Sequence, residues 1–300
     1  MISSPLLYPV KLKNSFIFVL DETKLPFKEH YIKINRLHQA FGVLSSMKTR
    51  ALGQVLLFLY SAVLFERKIT PKELAKKFRK IRPTFDFESL SYILENQKRT
   101  GLSLNEVVKN FIESFDKKRR ERTKRLAEDL PFNSKILTIC NVSGELIYLY
   151  EELRRLKKKV IFYVSETRPY LQGTRLTFWE LRKNNIKAYL LCDNQVAYLM
   201  QKKEINCVVV GSDRSNLKND IINKIGTYAI ARLANYFKIP FYVLTQYPQD
   251  IDLDLVKIEE RDKNEVFMFL EGIKTSNYDA IYPSFDITKS EFIKKTYEIR

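Results

Sequence analysis

Apolar positions change their rhythm near residue 131, and the change separates two kinds of structure. From about residue 33 to 129 they recur every three or four residues, as in Val55, Leu56, Leu59, Val63 and Leu64. That is the spacing of one buried face on an α-helix. Thr70-Pro71-Lys72-Glu73 supplies a helix start, with a capping hydroxyl and a proline at the first helical position, where its missing N–H costs nothing. From Ser134 onward, short β-rich runs alternate with helical stretches: 136–139, 160–164, 188–191, 207–210 and 241–244. The runs are apolar throughout instead of alternating, as strands covered on both faces must be, and their alternation with helices predicts a parallel sheet with crossover connections.

The expected fold class is therefore α/β. Residues 1–130 form a mainly helical N-terminal domain with short N-terminal strands, and residues 131–300 form a Rossmann-like parallel-sheet α/β domain. Ligands of such sheets bind outside the carboxyl ends of the strands, so the residues that follow each run carry the most information. They read Cys140-Asn141-Val142-Ser143-Gly144, Ser165-Glu166-Thr167-Arg168-Pro169, Cys192-Asp193-Asn194 and Gly211-Ser212-Asp213-Arg214. Thiol, carboxylate, guanidinium and amide groups would converge on one rim, as in a site. Beyond Asp213 the loop continues to Asn223-Lys224-Ile225-Gly226-Thr227, where a helix begins, and its backbone amides together with Lys224 are offered to a phosphate. There is no Gly-rich nucleotide fingerprint, so a nucleotide is not implied.

Composition narrows the classes this architecture could serve. Apolar residues make up 45% of the 300 positions, enough for the cores of two domains. The formal net charge of +17 favours anionic partners of any kind and does not choose among them. Its densest run, Lys117 to Arg125, reads as a solvated helix face, with a phosphate or acidic-partner contact as the alternative. Cys140, Cys192 and Cys207 are an odd number without Cys-x-x-Cys spacing, which argues against a disulfide framework or a zinc site and for a reducing cytosol. Cys192 and Cys207 read as core residues. The most apolar stretch, Val55 to Phe65, is too short to span a bilayer, and Met1 to Val10 lacks a secretory pattern. The expectation is a cytoplasmic protein without a membrane partner.

The strand-end motifs carry a resemblance. Glu166-Thr167-Arg168-Pro169-Tyr170-Leu171-Gln172-Gly173-Thr174-Arg175-Leu176-Thr177-Phe178-Trp179-Glu180-Leu181 resembles the E-[ST]-R-P-x-x-Q-G-x-R-L-T-x-W-E-L segment of the superfamily of S-methyl-5-thioribose-1-phosphate isomerase, ribose-1,5-bisphosphate isomerase and the regulatory subunits of initiation factor 2B. Val210-Gly211-Ser212-Asp213-Arg214 and the segment Asn219 to Tyr228 resemble its V-G-A-D-R and N-G-D-x-x-N-K-I-G-T-Y. The methylthioribose-phosphate branch looks most similar, through Leu20-Asp21-Glu22-Thr23-Lys24-Leu25-Pro26, Arg82-Pro83-Thr84, Ile136 to Asn141, Ile258 to Arg261 and Pro283 to Thr288. One segment departs from it: where the family reads V-R-G-A-P-A-I-G, this chain has Thr49-Arg50-Ala51-Leu52-Gly53-Gln54-Val55-Leu56. Ala51 and Leu52 place side chains where Gly and Ala would leave room.

The resemblance implies an aldose–ketose isomerase of a phosphorylated pentose, in first place methylthioribose 1-phosphate of methionine salvage. A ribose-1,5-bisphosphate isomerase and a non-catalytic initiation-factor-2B-like binding protein are the alternatives. It implies Cys140 and Asp213 as the catalytic pair and Arg50, Arg82, Gln172, Asn223 and Lys224 as substrate contacts. It further implies a homodimer and no metal or organic cofactor; nucleic acid is not an expected partner. Acid/base work on neighbouring carbons asks for a thiol with cationic neighbours, for which Arg50, Arg82 and Lys224 are the candidates, and for a carboxyl whose burial lets it donate a proton.

Overall fold

The structure, a computed structural model, describes residues 4–83, 85–270, 272 and 274–299; Thr84 of the Arg82-Pro83-Thr84 segment lies outside them. The chain divides into two compact units, with the division between Lys117 and Lys118.

The N-terminal unit opens with an antiparallel meander of β1 (Val10–Lys13), β2 (Phe16–Leu20) and β3 (Tyr31–Ile34). Helices α1 (Leu37–Ser45), α2 (Leu52–Leu64), α3 (Pro71–Ile81) and α4 (Phe87–Lys98) follow, and then the start of α5 (Leu104–Asp129). The periodic residues of α2 enter a core in which the rings of Phe58, Phe78 and Phe87 meet at 5.2–5.5 Å. Helix α3 starts where the sequence places it. The Thr70 hydroxyl accepts from the Glu73 amide, and the Glu73 carboxylate accepts from the Thr70 amide, which satisfies two free helix-end donors at once.

The C-terminal unit continues with β4 (Asn133–Thr138), α6 (Glu145–Arg155), β5 (Lys159–Ser165), α7 (Trp179–Lys183), β6 (Ala188–Leu191), α8 (Val196–Gln201) and β7 (Cys207–Gly211). It ends with β8 (Arg214–Ser215), β9 (Ile221–Lys224), α9 (Thr227–Tyr236), β10 (Phe241–Thr245), β11 (Phe285–Thr288) and β12 (Lys295–Glu298). Six strands form one parallel sheet in the order β12-β10-β7-β4-β5-β6. Successive residues of a strand go to opposite faces. Ile136 and Val209 therefore pack with α5, α6 and α7, while Leu137, Val208 and Val210 pack with α8 and α9. Both faces of the central strands are covered, which is why their runs carry no polar alternation; β6, at the edge, leaves Tyr189 and Leu190 exposed.

All five runs read from the sequence are strands of this sheet, and β12 joins them unannounced. It is an edge strand, Lys-Thr-Tyr-Glu, in which only Tyr297 is buried, so it lacks the signature of a central strand. From β4 the chain winds outward through β5 to β6, then returns beside β4 as β7 and winds the other way to β10 and β12. The reversal lies between β4 and β7, which are paired at Ile136–Cys207 and Leu137–Val208.

The basic run on α5 is only in part the solvated face its composition suggests. Arg119 and Arg122 are each 1% exposed and enclose Glu145, the first residue of α6. Arg119 Nε reaches Glu145 Oε1 at 3.1 Å, and Arg122 Nε and Nη2 reach the two carboxylate oxygens at 2.7 and 2.5 Å. Arg119 also donates to the Ser143 carbonyl and Arg122 to the Thr245 carbonyl at the end of β10. Further along the helix, Arg125 donates to the Glu298 carbonyl, and Asp129 accepts from Lys295 and Tyr297 of β12. Lys158 closes the end of α5 by donating to the carbonyls of Ala127, Glu128 and Leu130. Arg119 and Arg122 face inward, where carbonyls and a carboxylate satisfy them, while Lys117, Arg120, Glu121 and Lys124 stay exposed.

Removing one member of a buried ion cluster leaves the others charged and desolvated. Glu145→Gln is expected to lower the unfolding free energy by about 3–5 kcal/mol, measured by chemical denaturation. Burial pushes the Glu145 carboxyl up, but the Arg122 and Arg119 guanidiniums outweigh it and hold its pKa below the ordinary carboxylate range. The cluster's stabilisation is thus complete above that ordinary range and lost as pH falls through the depressed value. Identical acid sensitivity in wild type and Glu145→Gln would contradict the assignment.

Candidate active site

Cys140 follows β4 and Asp213 follows β7, so the two stand beyond the carboxyl ends of the neighbouring strands at which the sheet reverses direction. Crevices at such reversals are where open α/β sheets bind ligands. Cys140 is half-buried with φ 63°, a left-handed conformation that costs a residue with a side chain roughly 1–2 kcal/mol. Its N–H donates to Thr167 Oγ1 at 2.9 Å, and its carbonyl accepts from Thr177 Oγ1 at 2.5 Å. Asn141 bridges the same loop, from Nδ2 to Thr177 Oγ1 at 3.2 Å and by accepting the Ser143 amide at 2.8 Å. Asp213 is exposed, where proton donation would call for burial; the short connection between β7 and β8 leaves its side chain on the outer rim. Its N–H is held by the Ile222 carbonyl of β9 at 2.9 Å.

The loop after β5 is gathered by Asp193, which follows β6. The Asp193 carboxylate accepts the Ser165 hydroxyl, the Thr167 amide at 2.9 Å and the Arg168 amide at 2.7 Å. Burial, and then the charge of Asp193, raises the pKa of Glu166 next to it. A π-helical turn, 173–178, follows and joins α7. It can form only with glycine at its start, because a Cβ on Gly173 would stand 1.8 Å from the Ser165 carbonyl oxygen. Gln172 just before it is 4% exposed. Among the described residues Gln172 Oε1 and Ser212 Oγ are buried polar atoms without a hydrogen-bond partner. Cys207 is buried as expected, and burial pushes its thiol up to about 12. Cys192 instead lies exposed, beyond β6, the last strand of the sheet.

Asn223 and Lys224 sit on β9, in a small antiparallel sheet of order β11-β9-β8. Asn223 Nδ2 donates to Thr227 Oγ1 at 3.0 Å, whose hydroxyl donates to the Lys224 carbonyl at 2.6 Å. The Lys224 ammonium lies 4.5 Å from the centroid of the Phe285 ring. The amides of the following turn are not open to a phosphate: Asp286 on β11 accepts the Gly226 N–H at 2.7 Å and the Tyr228 N–H at 3.1 Å. A carboxylate from the paired strand takes the place that the sequence reading gave to substrate.

Arg50 and Arg82 belong to the N-terminal unit. Buried Glu22 organises the first: Glu22 accepts the Thr49 hydroxyl at 2.7 Å and the Arg50 amide at 3.0 Å, with Arg50 Nη1 at 4.0 Å. Burial raises the Glu22 pKa, against the opposing effects of Arg50 and Thr49. Ala51 then turns the chain with φ 41° and ψ −114°, a glycine-type conformation at the position where the resembling family has Gly. Arg82 is buried at the end of α3, with its guanidinium carbon 5.8 Å from the Phe85 ring centroid.

The sequence pattern of the initiation factor 2 subunit family matches residues 65–297. The chain belongs to that family. Among its relatives, a methylthioribose-1-phosphate isomerase of Leptospira biflexa is 32% identical, over 97% of this chain and 94% of its own length. One from Thermotoga neapolitana is also 32% identical, over 92% of this chain and 88% of its own length. A solved 5-methylthioribose 1-phosphate isomerase from Pyrococcus horikoshii shares the fold, with a TM-score of 0.80 at 22% identity over 98% of this chain and 93% of that one. The translation initiation factor eIF-2B subunit delta from A. fulgidus matches with a TM-score of 0.78 at 27% identity, over 96% and 93%. No helix among the described residues is long and apolar enough to cross a membrane, and no group of three or more His, Cys, Asp or Glu among them could hold a metal ion.

The Asp286 carboxyl titrates in an accessible range: burial pushes it up to about 6, against the two amides and Lys224. A carboxyl raised in the folded state adds stability below its unfolded pKa and loses it as pH rises through the folded value. Between about pH 4 and 6, the stability of Asp286→Asn is therefore expected to fall less, or rise more, with increasing pH than that of wild type. Parallel denaturation profiles in this window would refute the assignment.

Proposed function

We propose that this chain is an aldose–ketose isomerase that converts S-methyl-5-thioribose 1-phosphate to the corresponding ribulose 1-phosphate, a step of methionine salvage, with Cys140 and Asp213 as the catalytic pair. The observation that carries the reading is the departure of both residues from the adjacent strands β4 and β7 at the reversal of the sheet. The reaction asks for groups that exchange protons at neighbouring carbon and oxygen atoms, which a thiol and a carboxylate can supply. The ring opens, hydrogen moves from C2 to C1, the C2 hydroxyl loses its proton to become a carbonyl, and the ring oxygen gains one. The electrons balance within the sugar, so no external oxidant or reductant enters. In this assignment Cys140 works at the carbon pair and Asp213 at the neighbouring oxygen, each exchanging protons as general acid or base.

Gln172, Asn223 and Lys224 are assigned to substrate binding, and Arg50 and Arg82 to the anionic phosphate. The orphaned Gln172 Oε1 supports its part, since a buried acceptor without a donor costs about 1–3 kcal/mol that a sugar hydroxyl would recover. Lys224 offers an ammonium partly desolvated against Phe285. The same reading makes the protein a cytoplasmic homodimer, which sedimentation at twice the monomer mass would test.

Proton NMR of the purified protein with methylthioribose 1-phosphate is expected to show conversion to the ketose. Cys140→Ser and Asp213→Asn are each expected to lower kcat by about 100-fold or more while unfolding at wild-type temperature. Wild-type turnover in either folded variant would remove that residue from the chemistry. Turnover of ribose 1,5-bisphosphate in place of the thiosugar would reassign the substrate.

A further inference from the structure

The left-handed turn at Cys140 is held by side chains that the isomerase reading leaves without a task. We propose that Thr167 and Thr177 are positioning residues for the reaction: their hydroxyls lock the main chain of Cys140 on both sides and so fix the direction of its thiol, and Asp193 holds Thr167 in place. The proposal rests on the reading of Cys140 as the reacting thiol.

Neither hydroxyl is free for any other work. Thr167 Oγ1 donates to the Ser165 carbonyl at 3.0 Å and accepts the Cys140 N–H at 2.9 Å. Thr177 Oγ1 donates to the Cys140 carbonyl at 2.5 Å and accepts from Asn141 Nδ2 at 3.2 Å. Both threonines are fully buried, with their single proton and an acceptor site engaged inside the protein. They cannot touch substrate, yet both oxygens bind the one residue whose main chain is held left-handed at the end of β4. Hydroxyls suit this role because each joins a donor to an acceptor; valine, of the same shape, would leave a buried amide and a buried carbonyl unmatched.

The supports of Thr167 reach across the sheet. Its amide donates to Asp193, which also gathers Ser165 and Arg168, so the end of β6 sets the end of β5 and, through Thr167, the residue beyond β4. Gly173 belongs to the same construction, because a Cβ there would come within 2.9 Å of Thr167 Oγ1 as well as striking the Ser165 carbonyl. Thr177 arrives from the π-helical turn that Gly173 begins. A thiol placed this way stays aligned with bound sugar without support from substrate, and misplacement of a reacting group by about 1 Å costs on the order of 100-fold in rate.

The test compares Thr177→Val, Thr177→Ser and Asp193→Asn with wild type and Cys140→Ser. Four quantities are read: kcat and KM for methylthioribose 1-phosphate, the pH profile of iodoacetamide alkylation at Cys140 by peptide mass spectrometry, and the thermal midpoint. In Thr177→Val, kcat is expected to fall about 10- to 100-fold with KM within about threefold, and the alkylation profile to shift. Thr177→Ser, which keeps the hydroxyl, restores both. A folded Thr177→Val with wild-type kcat and alkylation profile overturns the proposal. If that variant does not fold, Asp193→Asn, at a half-exposed position, is judged by the same readouts and the same criterion. An inactive wild type would sink the isomerase reading instead, and an active Cys140→Ser the role of that thiol; in either case the alkylation profiles would still decide whether the threonines set the thiol.

Discussion

The buried cluster of Glu145 between Arg119 and Arg122 is the interaction on which the C-terminal unit depends. It places a carboxylate at the first turn of α6, where the helix dipole favours negative charge, and surrounds it with two guanidiniums from α5. Four charged or polar features meet there: the end of α5, the start of α6, the carbonyl after the Cys140 loop and the carbonyl at the end of β10. None could be buried alone, since a desolvated charge costs several kcal/mol without its partners. Their joint satisfaction fixes α5 against one face of the sheet and the Cys140 loop from behind.

That anchoring explains how the site tolerates its backbone. Cys140, Ser143 and Gly144 all have positive φ, and two of the three carry side chains that disfavour it. Such a loop would relax if held at one end only. Here Thr167 and Thr177 hold its start and Arg119 holds its finish, so the strain persists. Asp286 serves the neighbouring turn in the same manner, giving its carboxylate to the two amides that open α9 and steadying the strand that carries Asn223 and Lys224.

Much of this was legible in the sequence because it follows from local rules. Uniformly apolar runs gave β4, β5, β6, β7 and β10, and the Thr70–Glu73 pair gave the start of α3. Cys140 and Asp213 stand after two such runs, and the resemblance of the strand-end motifs is what names them as a candidate pair. Their adjacency could not be read, since it depends on β7 returning beside β4, which is a matter of strand order and leaves no trace in periodicity. Asp286 as a cap on α9 was hidden for a related reason: its amides are 60 residues away in the chain and arrive by the pairing of β11 with β9. The exposed ends of edge strands were misjudged as well, as Cys192 shows, because the sequence does not say which strand is last.

The basic composition is where sequence and structure part most instructively. A run such as Lys117 to Arg125 reads as an electrostatic surface when its charges are summed. In the fold, Arg119 and Arg122 are consumed by Glu145, Arg120 lies 3.8 Å from the Tyr148 ring centroid and 3.7 Å from Glu151, and Arg125 serves a carbonyl of β12. Part of this run is thus engaged by the protein's own acceptors, which fixes those side chains in place without cancelling the net charge. Net charge draws anions without placing them, and the isomerase reading gives that placement to cations set singly at strand ends, such as Lys224. Recognition of that kind depends on position, so the side chains and capping carboxylates that fix the strand ends matter more to it than the net charge of +17.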